Sequence, residues 1–76
     1  NNNNQPPPWS EAPPWANYRA QDEDGSWYWY ELKPRTYDKE QQWLEGSENG
    51  LVLCALKGNI KTSNWRDTLQ KRPENE

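Results

Sequence analysis

The sequence predicts a small β-rich α+β domain: an antiparallel sheet of three to four strands, a short C-terminal helix and a proline-rich N-terminal arm. Three observations predict it. Seventy-six residues hold one domain, because dividing them leaves neither half a core. Aliphatic side chains are scarce, with six Leu, one Val, one Ile and no Phe or Met, whereas there are six Trp and four Tyr. Each ring buries about 150–250 Å², so the core is built from indoles and phenols. Finally, short alternating or apolar runs are separated by the turn dipeptides Asp24-Gly25, Asn49-Gly50 and Gly58-Asn59.

Asn1 to Pro8 is a low-complexity arm ending in three prolines, which favour an extended polyproline conformation. Trp9 and Trp15 flank further prolines, and two indoles are costly to leave in water, so the chain packs down after Pro8. The globular domain therefore runs from 9 to 73, with 74–76 a fraying tail. From Ala16 to Gln21, Ala16, Tyr18 and Ala20 alternate with Asn17, Arg19 and Gln21, the period of a half-buried strand. Asp22 to Ser26 turns the chain, and Trp27 to Leu32 returns as a strand ended by Pro34. Its two faces carry Trp27 and Trp29 on one side and Tyr28 and Tyr30 on the other. One face makes the core, and the other needs a second cover: the N-terminal arm, a subunit partner or a ligand.

Arg35 to Gly50 admits two readings. Asp38 followed by Gln41 fits a short capped helix, and a loop ending in a short strand at Trp43 fits as well. Leu51 to Leu56 (LVLCAL) is the one continuous aliphatic run and reads as a central strand. Ile60 to Thr62 reads as a short edge strand. Trp65 to Arg72 reads as two helical turns, with Trp65 and Leu69 on the face that docks on the sheet.

Net charge −3 and a pI near 4.9 disfavour a nucleic-acid partner, since counterion release needs a basic face. No apolar run approaches a membrane span, and nothing resembles a signal peptide, so a soluble, cytoplasmic protein is expected. A leading segment is expected to be missing, because the chain begins without Met. One cysteine forms no internal disulfide, and no histidine is present for the usual zinc sites or the commonest general base. No enzymatic activity, no metal site and no cofactor are expected. Cys54 reads as a small buried hydrophobe inside the aliphatic run. Asp22, Asp24 and Gly25 superficially suggest a calcium loop, but the glycine comes too early and no bidentate Glu follows; turn chemistry accounts for them.

The string W-A-x-Y-R-A-x-D-x-D-G-x-W-x-W-Y from Trp15 to Tyr30, with Pro34 after it, and N-W-R-D-T-L-x-x-R-P from Asn64 to Pro73 resemble small proteins of tailed bacteriophages and prophages. The two blocks lie at opposite ends, and Arg35 to Lys61 carries no such resemblance. The resemblance implies a viral accessory protein made in the bacterial host cytoplasm and names no activity. Phage genomes in general supply many short non-enzymatic proteins that block host enzymes or take up nucleotide-derived immune signals.

Trp27, Trp29, Tyr28 and Tyr30 carry the leading functional expectation, since stacking a base on an indole contributes about 1–3 kcal/mol per ring without catalysis. A nucleotide-like ligand would lie against Trp27, Trp29 or Tyr30, with phosphate held by Arg19, Arg66 or Lys61. The stretch from Lys57 to Arg72 has five basic residues against Asp67 alone, which favours an anionic ligand there. Two alternatives stand beside it: an inhibitor that masks a host protein through an exposed aromatic patch, and a sugar-binding module. So short a chain buries little, and a homo-oligomer is expected to complete the core.

Overall fold

The computed structural model describes residues 5–46 and 49–74. Six strands form in chain order: β1 (Tyr18–Gln21), β2 (Trp27–Tyr30), β3 (Arg35–Tyr37), β4 (Gln42–Leu44), β5 (Val52–Leu56) and β6 (Gln70–Lys71). One antiparallel sheet has the order β5-β2-β1-β6, and β3 and β4 form a separate two-stranded hairpin. Single 3-10 turns span Trp9–Glu11 and Trp65–Asp67, and among the described residues there is no α-helix. The β-rich antiparallel expectation holds; the C-terminal helix does not.

The β1–β2 hairpin follows from its sequence. Gly25 sits at φ 93°, a conformation glycine adopts without steric cost. Asp22 and Ser26 close the turn through Asp22 N–H to Ser26 O (2.9 Å), and Asp24 Oδ1 accepts from Ser26 N–H (2.9 Å). Tyr18 then pairs with Tyr30 and Gln21 with Trp27. The loop after β5 lies directly on this turn: a Cβ on Gly58 would overlap the Gly25 backbone. Ser26 is buried there and accepts from Gly58 N–H (3.0 Å).

Both faces of the main sheet are covered, each by tryptophan. On the tyrosine face, Ala20 and Tyr30 pack with Trp43 of β4 and Trp65, with Tyr18, Tyr28 and Leu69 around them. Trp43 and Trp65 meet edge to face at 6.1 Å. On the opposite face, Trp29 packs with Trp9 and Ala16, flanked by Ala12, Trp15 and Ala55. Trp9 and Trp29 are 5.4 Å apart. The N-terminal segment is therefore the second cover that β2 requires, and Arg19 fastens it by donating to Pro7 O. Ala16 packs on this face, not with Tyr18 and Ala20 as strict alternation predicts, because it precedes the strand.

Three expectations are corrected, the C-terminal helix among them, and one left open is decided. Of the two readings of Arg35 to Gly50 the capped helix is excluded and the short strand at Trp43 is present, as β4 of the β3–β4 hairpin; Gln41, at φ 55°, reverses the chain so that Trp43 drops onto the sheet. Trp65 to Arg72 leaves its helical turn after Asp67 because the Thr68 hydroxyl donates to Trp65 O (2.7 Å) and accepts from Gln21 N–H (2.9 Å). A hydroxyl bonded this way competes with helical backbone bonding, and the chain goes on to pair with β1 as β6. Ile60 to Thr62 is loop, tied by Thr62 N–H to Glu23 O (2.8 Å). Leu51 to Leu56 supplies an edge strand and not a central one, since β1, flanked by β2 and β6, and β2 occupy the middle.

Candidate functional site

The residues expected to hold a ligand do not form one surface. Trp27, Trp29 and Tyr30 are each no more than 3 % exposed. Tyr30 and Trp29 lie under the covers described above, and Trp27 is equally buried, so none of the three offers an open stacking platform. Arg19 lies over Trp9 at 4.5 Å and donates to Gln70 Oε1 (2.8 Å from Nε), so it belongs to the N-terminal face. Arg66 lies over Trp65 at 4.6 Å and pairs with Asp38 at 2.8 Å, which puts it on the opposite face. Lys61 is exposed on the loop after β5. The large apolar side chains that remain exposed are aliphatic: Leu32, Leu51, Val52, Leu53, Leu56 and Ile60. An aromatic patch is not among the described exposed groups.

Two features stand out instead. The first is the open side of β5. Leu51, Val52, Leu53 and Leu56 are between 39 % and 51 % exposed, and Cys54 is exposed, correcting its expected burial. The physical reason is position: β5 has β2 on one side and, among the described residues, no strand on the other. Glu31 N–H donates to Leu51 O (2.9 Å), so the main-chain groups of Leu51 and Leu53 turn toward β2. Strand alternation directs those of Val52 and Cys54 outward. From Leu51 to Leu56 there is no charge and no proline, the devices that ordinarily blunt an edge.

The second is a solvent-open cleft of ≈180 Å³ on the tyrosine face, lined by Asp22, Tyr28, Tyr30, Gln42, Trp43, Leu44, Glu45 and Val52. Asp22 leads into it from the end of β1, and its Oδ1 accepts from Trp43 N–H at 2.8 Å. That bond anchors β4 over the sheet. Trp43 Nε1–H is itself shared between Gln21 O (3.0 Å) and Trp65 O (3.3 Å). Burial pushes the Asp22 carboxyl up to about 6, against the lowering effect of the Trp43 hydrogen bond, and the charge of Asp24 adds to the rise. Burial also raises the Tyr30 hydroxyl, helped by Asp22, Tyr28 and Glu45, and raises Tyr28, helped by Cys54, Asp22 and Asp24. A smaller notch of ≈90 Å³, bordered by Glu23, Asp24 and Glu40, adjoins Asp22. Among the described residues no group of acids, Cys or His is arranged to hold a metal ion, and no helix is long and apolar enough to cross a membrane.

Sequence reasoning assigned Asp22 to turn chemistry and passed over Leu44, Glu45 and Val52. The signal was faint: an acid beside an aromatic strand becomes a cleft residue only when β4 lands next to it. Comparison of the chain with family models, curated proteins and solved structures finds no match. Its functional reading therefore rests on this geometry.

Proposed function

We propose that the protein is a non-enzymatic binding module that assembles through its β5 edge, two copies pairing antiparallel about a two-fold axis into one continuous sheet. The open, apolar, uncharged β5 edge carries the reading. An edge of this kind is a template for another strand. A second copy is the occupant that fits, because two-fold pairing sets uncharged residues opposite one another over the whole strand. Charge complementarity supports the same choice at the ends. Antiparallel pairing centred on Leu53 sets Val52 opposite Cys54 and brings Lys57 of one protomer to the Leu51 end of the other. There Glu31 Oε1 accepts from Leu51 N–H (3.1 Å).

The test is molecular mass by sedimentation at high micromolar concentration for the parent, Val52→Pro and Leu53→Lys. Val52 N–H points away from β2, so proline there removes a donor to the partner and none to the fold. Lysine at the half-exposed Leu53 sets like charges together across the axis. A dimeric parent with two monomeric, folded variants is expected. A monomeric parent, or a dimer that persists in both variants, sinks the proposal.

A further inference from the structure

We infer that the cleft between the tyrosine face and β4 is a binding site for a basic side chain, a lysine ammonium or an arginine guanidinium presented by a protein. The occupant's being a protein rests on the binding-module reading, but the cleft lies within one protomer and is tested without the β5 edge.

Four features of the cleft converge on a cation. Its carboxylates are Asp22 and Glu45, and no Lys or Arg lines it. Asp22 Oδ1 accepts from Trp43 N–H, and an ionised carboxylate has further acceptor sites on both oxygens. The half-buried ring of Tyr28 borders the cleft, 6.4 Å from the buried Tyr30 ring, and an aromatic ring attracts ammonium and guanidinium groups through its negative face. Leu44 and Val52 supply an apolar wall for the methylene stem that long basic side chains lay along hydrophobic surface. The volume agrees: ≈180 Å³ is below the roughly 300–1,000 Å³ of small-molecule pockets. It suits one side chain better than a nucleotide, whose phosphate the two carboxylates would repel.

The upward shifts of Asp22, Tyr28 and Tyr30 share a cause that a cation relieves. Each is raised first by burial and further by neighbouring negative charge. A bound cation stabilises the Asp22 carboxylate, so binding lowers its titration midpoint. In the paired form both clefts open on the same side, because the two-fold axis of antiparallel edge pairing runs perpendicular to the sheet.

The experiment is an NMR titration of the full chain with Nα-acetyl-arginine methylamide and Nα-acetyl-lysine methylamide, with the neutral isostere Nα-acetyl-citrulline methylamide as control. At neutral pH, saturable millimolar shifts are expected at the Trp43 amide and the Tyr28 and Tyr30 rings with a basic probe and not with citrulline. Asp22→Asn, which keeps an oxygen for Trp43 N–H, should weaken binding by about tenfold, the equivalent of 1.4 kcal/mol. Glu45→Gln, on an exposed residue, should weaken it by a smaller factor. The Leu53→Lys variant should bind the probes as the parent does, which separates failure of the cleft from failure of β5 pairing. Shifts of equal size with citrulline, the lack of any saturable shift, or unchanged affinity in both cleft variants would overturn the inference.

Discussion

Replacing Asp22 with Asn isolates one electrostatic cost of the fold. The substitution removes the ionisable carboxyl and retains an oxygen for the 2.8 Å bond from Trp43 N–H. Burial pushes the folded carboxyl up to about 6 from 3.8. At about 1.4 kcal/mol per pH unit, that difference has a ceiling of about 3 kcal/mol. Asp22 is only half-buried, and solvent screening reduces the figure to about 1 kcal/mol. The folded state holds this proton more tightly than the unfolded chain, so Asp22 contributes fully below about pH 4 and its contribution is lost as pH rises through about 6. The parent should therefore lose about 1 kcal/mol over that window from this group, and Asp22→Asn should lose none of it. Urea unfolding followed by Trp fluorescence, at about pH 4 and about pH 7.5, reads the difference. The variant should match the parent in acid and exceed it by about 1 kcal/mol at the higher pH. Parallel stability curves for the two proteins, or a variant that is weaker at neutral pH, would refute the reasoning.

Two other substitutions probe the packing that builds the cleft. Trp43→Phe removes the donor shared by Gln21 O and Trp65 O and leaves a void in the tyrosine-face core. It should lower stability by about 3 kcal/mol, seen as a drop in the urea midpoint at unchanged m-value. Gly58→Ala would drive a methyl group into the Gly25 backbone, which cannot swing aside as a side chain can. A loss of about 3 kcal/mol is expected, against a few tenths for the same change at an open glycine, and a lower thermal midpoint checks it.

The parts of this fold that are legible in the chain are those fixed by neighbours in sequence. The β1–β2 hairpin is one, because Asp24-Gly25 and the alternation around it specify turn and register locally. The division of β2 into an indole face and a phenol face is another, since side chains of a strand must alternate. The packing of Trp9 and Trp15 follows from the cost of leaving indoles wet. By contrast, apolarity misleads for Leu51 to Leu56. A hydrophobic run states that burial is favourable and not which strand will supply it, and here the Trp and Tyr rings fill the core and the aliphatic strand lies at the edge.

The same limit governs the candidate site. Arg19 and Arg66 are exposed basic residues in the linear chain; which indole each covers depends on long-range contacts that place them on opposite faces. Asp22 and Glu45 are 23 positions apart, and the turn at Gln41 and the docking of Trp43 bring them to one cleft. Trp65 to Arg72 is a marginal helix in isolation, and the exposed edge of β1 together with the Thr68 hydroxyl converts it to a strand. Local pattern settles composition of the core, turn chemistry and alternation because those energies arise within a few residues. Strand order, the open edge and the charge of the cleft arise from competition among distant segments for the same surface, and packing alone resolves that competition.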